Sequence, residues 1–184
     1  MDNGSDSYRR YLAGDDSGLA ELIVTYRDGL ILYLNGFVND LNTAEDLAED
    51  VFFRLAVRKP RFRERSSFKT WLYAIGRNEA LQYLRRERVV SVPPEALSGE
   101  EDPSAGAEEA LIRSQDRLAL HRCLRRLKSE YHQVLYLYYF EEFSAKEIAA
   151  VMKKSVHNIE TLLYRARNAV KRELEAEGFD DENL

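Results

Sequence analysis

Between Val89 and Glu109 the chain reads VVSVPPEALSGEEDPSAGAEE, and no other stretch limits the possible folds so strongly. It holds three of the four prolines, two glycines, six acidic residues and no Lys or Arg. Proline removes a backbone donor and clashes with the preceding helical turn, and a segment this polar has no apolar face to bury. It therefore reads as a linker with a small core on either side, and 184 residues leave room for two lean domains. The expected layout is a first domain over residues 1–88, a linker over 89–112, a second domain over 113–178 and an acidic tail over 179–184.

On both sides of the linker the apolar residues recur at helical spacing, and neither strand-type alternation nor a Gly-rich phosphate loop occurs. The fold class expected is all-α. After Ser17, residues Leu19, Leu22, Ile23, Tyr26, Leu30, Tyr33, Leu34 and Phe37 step every three or four positions, with Gly29 and Gly36 expected to loosen the helix. Asn42 or Thr43 is positioned to cap the next helix, Asp46 completing a capping box with Thr43; Leu47, Val51, Phe52 and Leu55 form its stripe, and Pro60 ends it. A basic loop, RFRERSS, leads into a helix from Phe68 to Arg88 with Phe68, Leu72, Ile75, Leu81 and Leu84 inward.

Beyond the linker, Leu111, Ile112, Leu118, Leu124 and Leu127 outline one helix, and Ser129 stands where it can cap a second. Ser144-Ala-Lys-Glu147 is a capping box opening a short helix that Lys153-Lys154-Ser155 breaks. In the last helix Val156, Ile159, Leu163, Ala166, Val170 and Leu174 form one face, with His157, Asn158, Glu160, Thr161, Tyr164, Arg165, Arg167, Asn168 and Lys171 opposite.

Charge is distributed in blocks of alternating sign. Residues 1–53 carry 3 basic and 11 acidic side chains, 54–88 carry 11 and 3, 110–174 carry 13 and 7, and 175–184 add five acids. The total of −5 hides two basic segments, each able to approach a nucleic acid while acidic parts face a protein. In 61–88, eight Arg or Lys interleave with Phe62, Phe68, Trp71, Tyr73 and Tyr83, a pattern suited to stacking on bases while cations hold phosphates. Core packing competes for the same aromatics, and Trp71 and Tyr73 cannot both turn to the side that Leu72 and Ile75 bury. Residues 144–171 have a helix-turn-helix layout, which a plain helical hairpin also fits; Arg165, Arg167 and Lys171 are placed to reach phosphates.

Enzyme chemistry finds little support. The acids Glu45, Asp46, Glu49 and Asp50 have no Glu-x-x-His near them, the three histidines lie in separate segments, and Cys123 is alone. Neither a metal nor another cofactor is expected, and the acidic cluster reads as a solvated face or a docking surface for a basic partner. A leader peptide and a membrane span are likewise not expected, and the cytoplasm is the expected compartment.

As an ordered set, TAEDLAEDVFFRL, FKTWLYAIGRN with the following LRR, SAKEIAAVM and LLYRARNAVK resemble the bacterial RNA polymerase sigma factors of the extracytoplasmic-function (ECF) type, in the sigma-70 family, over roughly residues 8–175. The resemblance implies a specificity subunit, not an enzyme, that binds core polymerase, selects promoters and helps melt the −10 element. It implies that Asp46, Glu49, Asp50 and Phe53 dock on the clamp helices of the β′ subunit, and that the β flap is a further contact on core polymerase. Arg63, Arg65, Ser66, Ser67, Lys69, Trp71, Tyr73, Arg77, Asn78, Arg85 and Arg86 would open the −10 element and hold unstacked non-template bases. Ser155, His157, Asn158, Glu160, Thr161, Arg165, Arg167 and Lys171 would meet the −35 duplex, and an anti-sigma protein is a further implied partner. Lys128, Glu142, Lys153, Gln82 and Glu160 depart from frequent family residues, Glu142 and Lys153 standing where Gly is common. The alternative reading is a stand-alone helix-turn-helix regulator, which would need neither the aromatic-basic segment nor the acidic helix; a metalloprotein is a more distant rival.

Overall fold

A computed structural model of the chain describes residues 3–90, 124 and 126–176. The described residues form seven α-helices and no strand, in two compact units divided between Glu108 and Glu109. Residues 91–112 of the expected linker, the tail over 179–184 and most of the helix expected over Leu111–Leu127 lie outside the described residues; Leu124 is helical and buried.

The first unit contains α1 (Asn3–Leu12), α2 (Ser17–Val38), α3 (Leu41–Arg58) and α4 (Phe68–Val90). Helix α2 is its centre: every residue from Leu30 to Asn35 is buried, so this stretch is covered all round, not on one stripe, and the helix runs unbroken through Gly29 and Gly36. Three of its neighbours are α1, α3 and α4, and two glycines let backbones approach. A Cβ on Gly18 would lie 2.2 Å from the Ser7 carbonyl oxygen of α1, and one on Gly76 of α4 would lie 2.9 Å from Leu30 Cδ1. Helix α1 went unrecognised in the sequence. Its inward residues are Tyr8 and Tyr11, whose burial depends on α3 and α4.

Several helix starts differ from expectation by a few residues. Asp15 Oδ1 accepts from the Ser17 amide at 3.0 Å, so Asp15, not Ser17, holds the start of α2. Asp40 caps α3 by accepting from the Thr43 amide at 2.9 Å, in place of a Thr43–Asp46 box. The α3 stripe of Leu47, Val51, Phe52 and Leu55 is buried as its spacing predicts, whereas of the five residues expected inward on α4 Phe68 and Leu72 are fully buried and Ile75, Leu81 and Leu84 are half-covered.

The second unit contains α5 (Ser129–Tyr139), α6 (Ala145–Met152) and α7 (Val156–Ala176). Val134, Leu135, Tyr136, Leu137, Phe143, Ile148, Val151, Met152, Ile159, Leu163 and Ala166 make its core. The Ser144 capping box forms in both directions, Glu147 N–H donating to Ser144 Oγ at 3.3 Å and Ser144 N–H to Glu147 Oε2 at 3.0 Å. Lys128, without a side-chain bond, precedes α5, so Ser129 is its first helical residue and not its cap. The α6–α7 turn is closed by Lys153 in the left-handed region at φ 55°.

Candidate polymerase and nucleic-acid interfaces

On α3 the residues opposite the buried stripe are Asp46, Glu49, Asp50, Phe53 and Val57, at steps that keep them in one line along the helix. All five are exposed; Phe53 is 66% exposed and Val57 62%. Three carboxylates beside two bared apolar side chains give a face that attracts a basic partner and then buries apolar area against it. Val57 was not singled out in the sequence, although its place one turn beyond Phe53 is the available signal. Glu45, by contrast, is drawn to Arg27 of α2 at 3.5 Å. Arg54, on the flank nearest α4, forms an ion pair with Glu79, tying the two helices together.

The segment between α3 and α4 carries Arg61, Arg63 and Arg65, all exposed, and with Phe62 and Glu64 it lines an open basin of about 460 Å³. Below the basin lies an aromatic group: Phe62 and Phe68 stand 5.1 and 5.5 Å from the Trp71 ring. Trp71 is half-exposed at the surface of this group. Tyr73 corrects the expectation of a stacking platform: it is fully buried, 5.3 Å from the Tyr33 ring of α2, because the α4 position two residues after Trp71 turns into the core. Ser67 is also committed elsewhere, since its Oγ accepts from the Thr70 amide at 3.1 Å and caps α4. Ser66 Oγ turns back to the Ser67 carbonyl at 3.3 Å. On the helix itself Trp71, Asn78 and Arg85 recur every seven residues and share a face, with Arg77 half-buried on its flank and Arg86 exposed; Lys69 lies on the other side, half-buried in the first turn.

Along α7, His157, Asn158, Glu160, Arg165, Arg167 and Lys171 are exposed and Thr161 is half-exposed, opposite Ile159, Leu163 and Ala166. The centre of that face is the line His157, Thr161, Tyr164, Asn168, and Tyr164 is 68% exposed. Tyr164 was legible as exposed but not as a centre of contact. Two expected contacts have other duties in the structure. Ser155 Oγ accepts from the Asn158 amide at 3.2 Å and caps α7. Arg167 donates from Nε to Tyr139 Oη at 2.9 Å, its guanidinium 5.1 Å from the Tyr138 ring, so α5 holds its side chain. Glu160, on the same flank, has no ion-pair or hydrogen-bond partner among the described residues.

No three His, Cys, Asp or Glu side chains among the described residues gather to hold a metal ion, and no described helix is long and apolar enough to cross a membrane. Residues 22–89 match the family Sigma-70 region 2, and residues 117–170 match Sigma-70, region 4. The RNA polymerase sigma factor YlaC of Bacillus subtilis is 31% identical over 160 residues, covering 85% of this chain and 91% of YlaC. The chain belongs to the sigma-70 family, as an ECF-type sigma factor. The RNA polymerase sigma-H factor of Pseudomonas aeruginosa is similar over 179 residues at 29% identity, covering 90% of this sigma factor and 91% of its relative. The fold of this chain is similar to that of CnrH, solved in complex with the cytosolic domain of CnrY, with a TM-score of 0.68 at 21% identity over 95% of this chain and 99% of CnrH. The sigma factor RpoE of Bartonella quintana, solved with the anti-sigma factor NepR, aligns with a TM-score of 0.64 at 20% identity over 85% of this chain and 96% of RpoE. The protein is thus a promoter-directing sigma factor of RNA polymerase.

Proposed function

We propose that this sigma factor acts without catalytic chemistry of its own, through three surfaces with separate partners. The α3 line of Asp46, Glu49, Asp50, Phe53 and Val57 docks on the β′ clamp helices of core polymerase, and the second unit engages the β flap. The basin of Arg61, Arg63 and Arg65 with the α4 face of Trp71, Arg77, Asn78, Arg85 and Arg86 captures unstacked non-template bases of the −10 element. Lys69 adds positive charge near the same strand. The exposed face of α7 enters the −35 major groove, His157, Asn158, Glu160, Thr161 and Tyr164 toward base edges and Arg165, Arg167 and Lys171 toward phosphates. Residues 1–88 form the opening module, 113–178 the upstream reader and 89–112 the connection between them, all in the cytoplasm, where an anti-sigma protein holds the factor in reserve.

One observation carries the reading of the first module: a single helical unit exposes an acidic-apolar line on α3 and an arginine basin over aromatics at the start of α4. A stand-alone regulator needs neither. Melting costs a few kcal/mol per unstacked step, offset when a flipped base stacks and its phosphates meet arginines, so no ATP is required. Run-off transcription with core polymerase tests it: start-specific transcripts and a core complex on gel filtration are expected. Upstream DNA binding with neither would return the protein to the stand-alone class.

A further inference from the structure

We infer that α1, which precedes the residues matched to Sigma-70 region 2, is a working part of the promoter-opening module, with Tyr8 and Arg9 as positioning residues for the arginine basin. This rests on the reading of that basin as the place where a melted base is held.

The basin's own backbone does little to fix its shape. Among the described residues no backbone–backbone hydrogen bond ties Arg61, Phe62, Arg63, Glu64 or Arg65 to the rest of the unit, and Glu64 turns the chain in the left-handed region at φ 52°. Phe62 packs on Phe68 and Trp71 of α4, and the other ties come from side chains of α1. Tyr8, 1% exposed, donates its hydroxyl to the Pro60 carbonyl at 2.7 Å, and its ring lies 5.4 Å from Phe68 and 5.5 Å from Trp71. Tyr11 donates to the Ala56 carbonyl at 2.9 Å, and Lys59 Nζ lies 4.7 Å over its ring. At the far end Arg9 reaches Glu64 at 3.1 Å while also holding Asp6 at 2.6 Å. One short helix therefore grips the segment where it leaves α3 and again at its bend.

The two grips do different things. The Tyr8 bond is buried and directional, so it sets where the segment begins relative to Trp71. The Arg9–Glu64 pair is 62% and 60% exposed, and ion pairs so open to water add little to stability. What it does add is electrostatic. Among the described residues Glu64 is the one acid lining a basin that is otherwise three arginines and Phe62, and a carboxylate there repels phosphates and competes for the same guanidinium groups. With Glu64 turned to Arg9, the three arginines stay available to the strand.

The test uses full-length protein with core polymerase, comparing open-complex formation on duplex and on a premelted −10 bubble. Tyr8→Phe and Arg9→Ala should each slow opening on duplex by about two- to tenfold, the size of one lost hydrogen bond or charge contact. The bubble should restore both, with core affinity near the parent value in each and the melting temperature unmoved in Arg9→Ala but a few degrees lower in Tyr8→Phe. Glu64→Gln should rescue Arg9→Ala, since no carboxylate then needs neutralising, and Arg9→Lys should retain most of the rate. Opening at the parent rate in both single variants, or a slow rate that neither the bubble nor Glu64→Gln restores, overturns the inference. Arg63→Ala and Arg65→Ala separate the two levels. If they slow opening and the α1 variants do not, only the positioning role falls; if they too have no effect, the basin reading falls with it.

Discussion

Tyr73 and Trp71 are two residues apart and looked equivalent in the sequence, yet they have opposite fates. Burial of Tyr73 against Tyr33 makes Tyr73→Ala a cavity mutation, expected to destabilise the first unit by about 3–5 kcal/mol and to show in urea unfolding before any DNA is added. Trp71→Ala should instead slow opening, with a premelted bubble restoring it and about 1–3 kcal/mol lost per captured base. If the Tyr73 variant melts like the parent, the ring is not a core element. A second residue-scale expectation concerns Glu142 and Lys153, at φ 56° and 55°. Left-handed backbone costs an L-residue about 1–2 kcal/mol and glycine nothing, less the extra freedom glycine has when unfolded. Glu142→Gly, at an exposed site, should therefore raise the stability of the second unit by roughly 0.5–1 kcal/mol in thermal unfolding. These two departures from common family residues were visible in the sequence; the strain behind them required the backbone angles.

At the scale of the helix, what the sequence disclosed follows a physical division between local and tertiary causes. The Ser144–Glu147 box was legible because both of its hydrogen bonds lie within four residues, and Ser144→Ala should cost about 0.5–2 kcal/mol of second-unit stability. The α7 faces were legible because one apolar stripe dictates them. Helix α1 was not, since its tyrosines are buried by elements fifty residues away, and Asp40 was overlooked because two later residues offered equally good caps. Ser67 and Ser155 were assigned to DNA on position in the chain, while hydrogen bonds three residues on take their hydroxyls. Gly18 belongs to this scale as well. A methyl there would meet the Ser7 carbonyl oxygen, which cannot rotate away, so Gly18→Ala should separate α1 from α2. Loss of first-unit stability together with slower promoter opening is expected, whereas Ala20→Gly on the exposed side of the same turn should reproduce only the small propensity cost.

For the molecule as a whole, the alternation of charge along the chain matters more than its sum. The −8 of residues 1–53 and the +8 of 54–88 belong to one unit, so acid and base are segregated on a single small body rather than on separate ones. A basic protein surface and a nucleic acid are thereby attracted to different helices, α3 and α4, of the same module. Asp46 and Glu49 are exposed, so reversing both with Asp46→Lys and Glu49→Lys should leave the unfolding transition nearly unmoved. Core affinity should fall, and the fall should be steeper at low than at high salt, because screening removes the long-range attraction and not the apolar contact of Phe53 and Val57. Phe53→Ala should behave in the opposite way, weakening core binding by a similar factor at every salt concentration. Titration of labelled sigma factor with core polymerase at two ionic strengths distinguishes the two. Equal salt dependence in both variants would mean that the carboxylates and Phe53 do not divide attraction and contact between them, and an unchanged affinity in both would remove the α3 line from the docking surface.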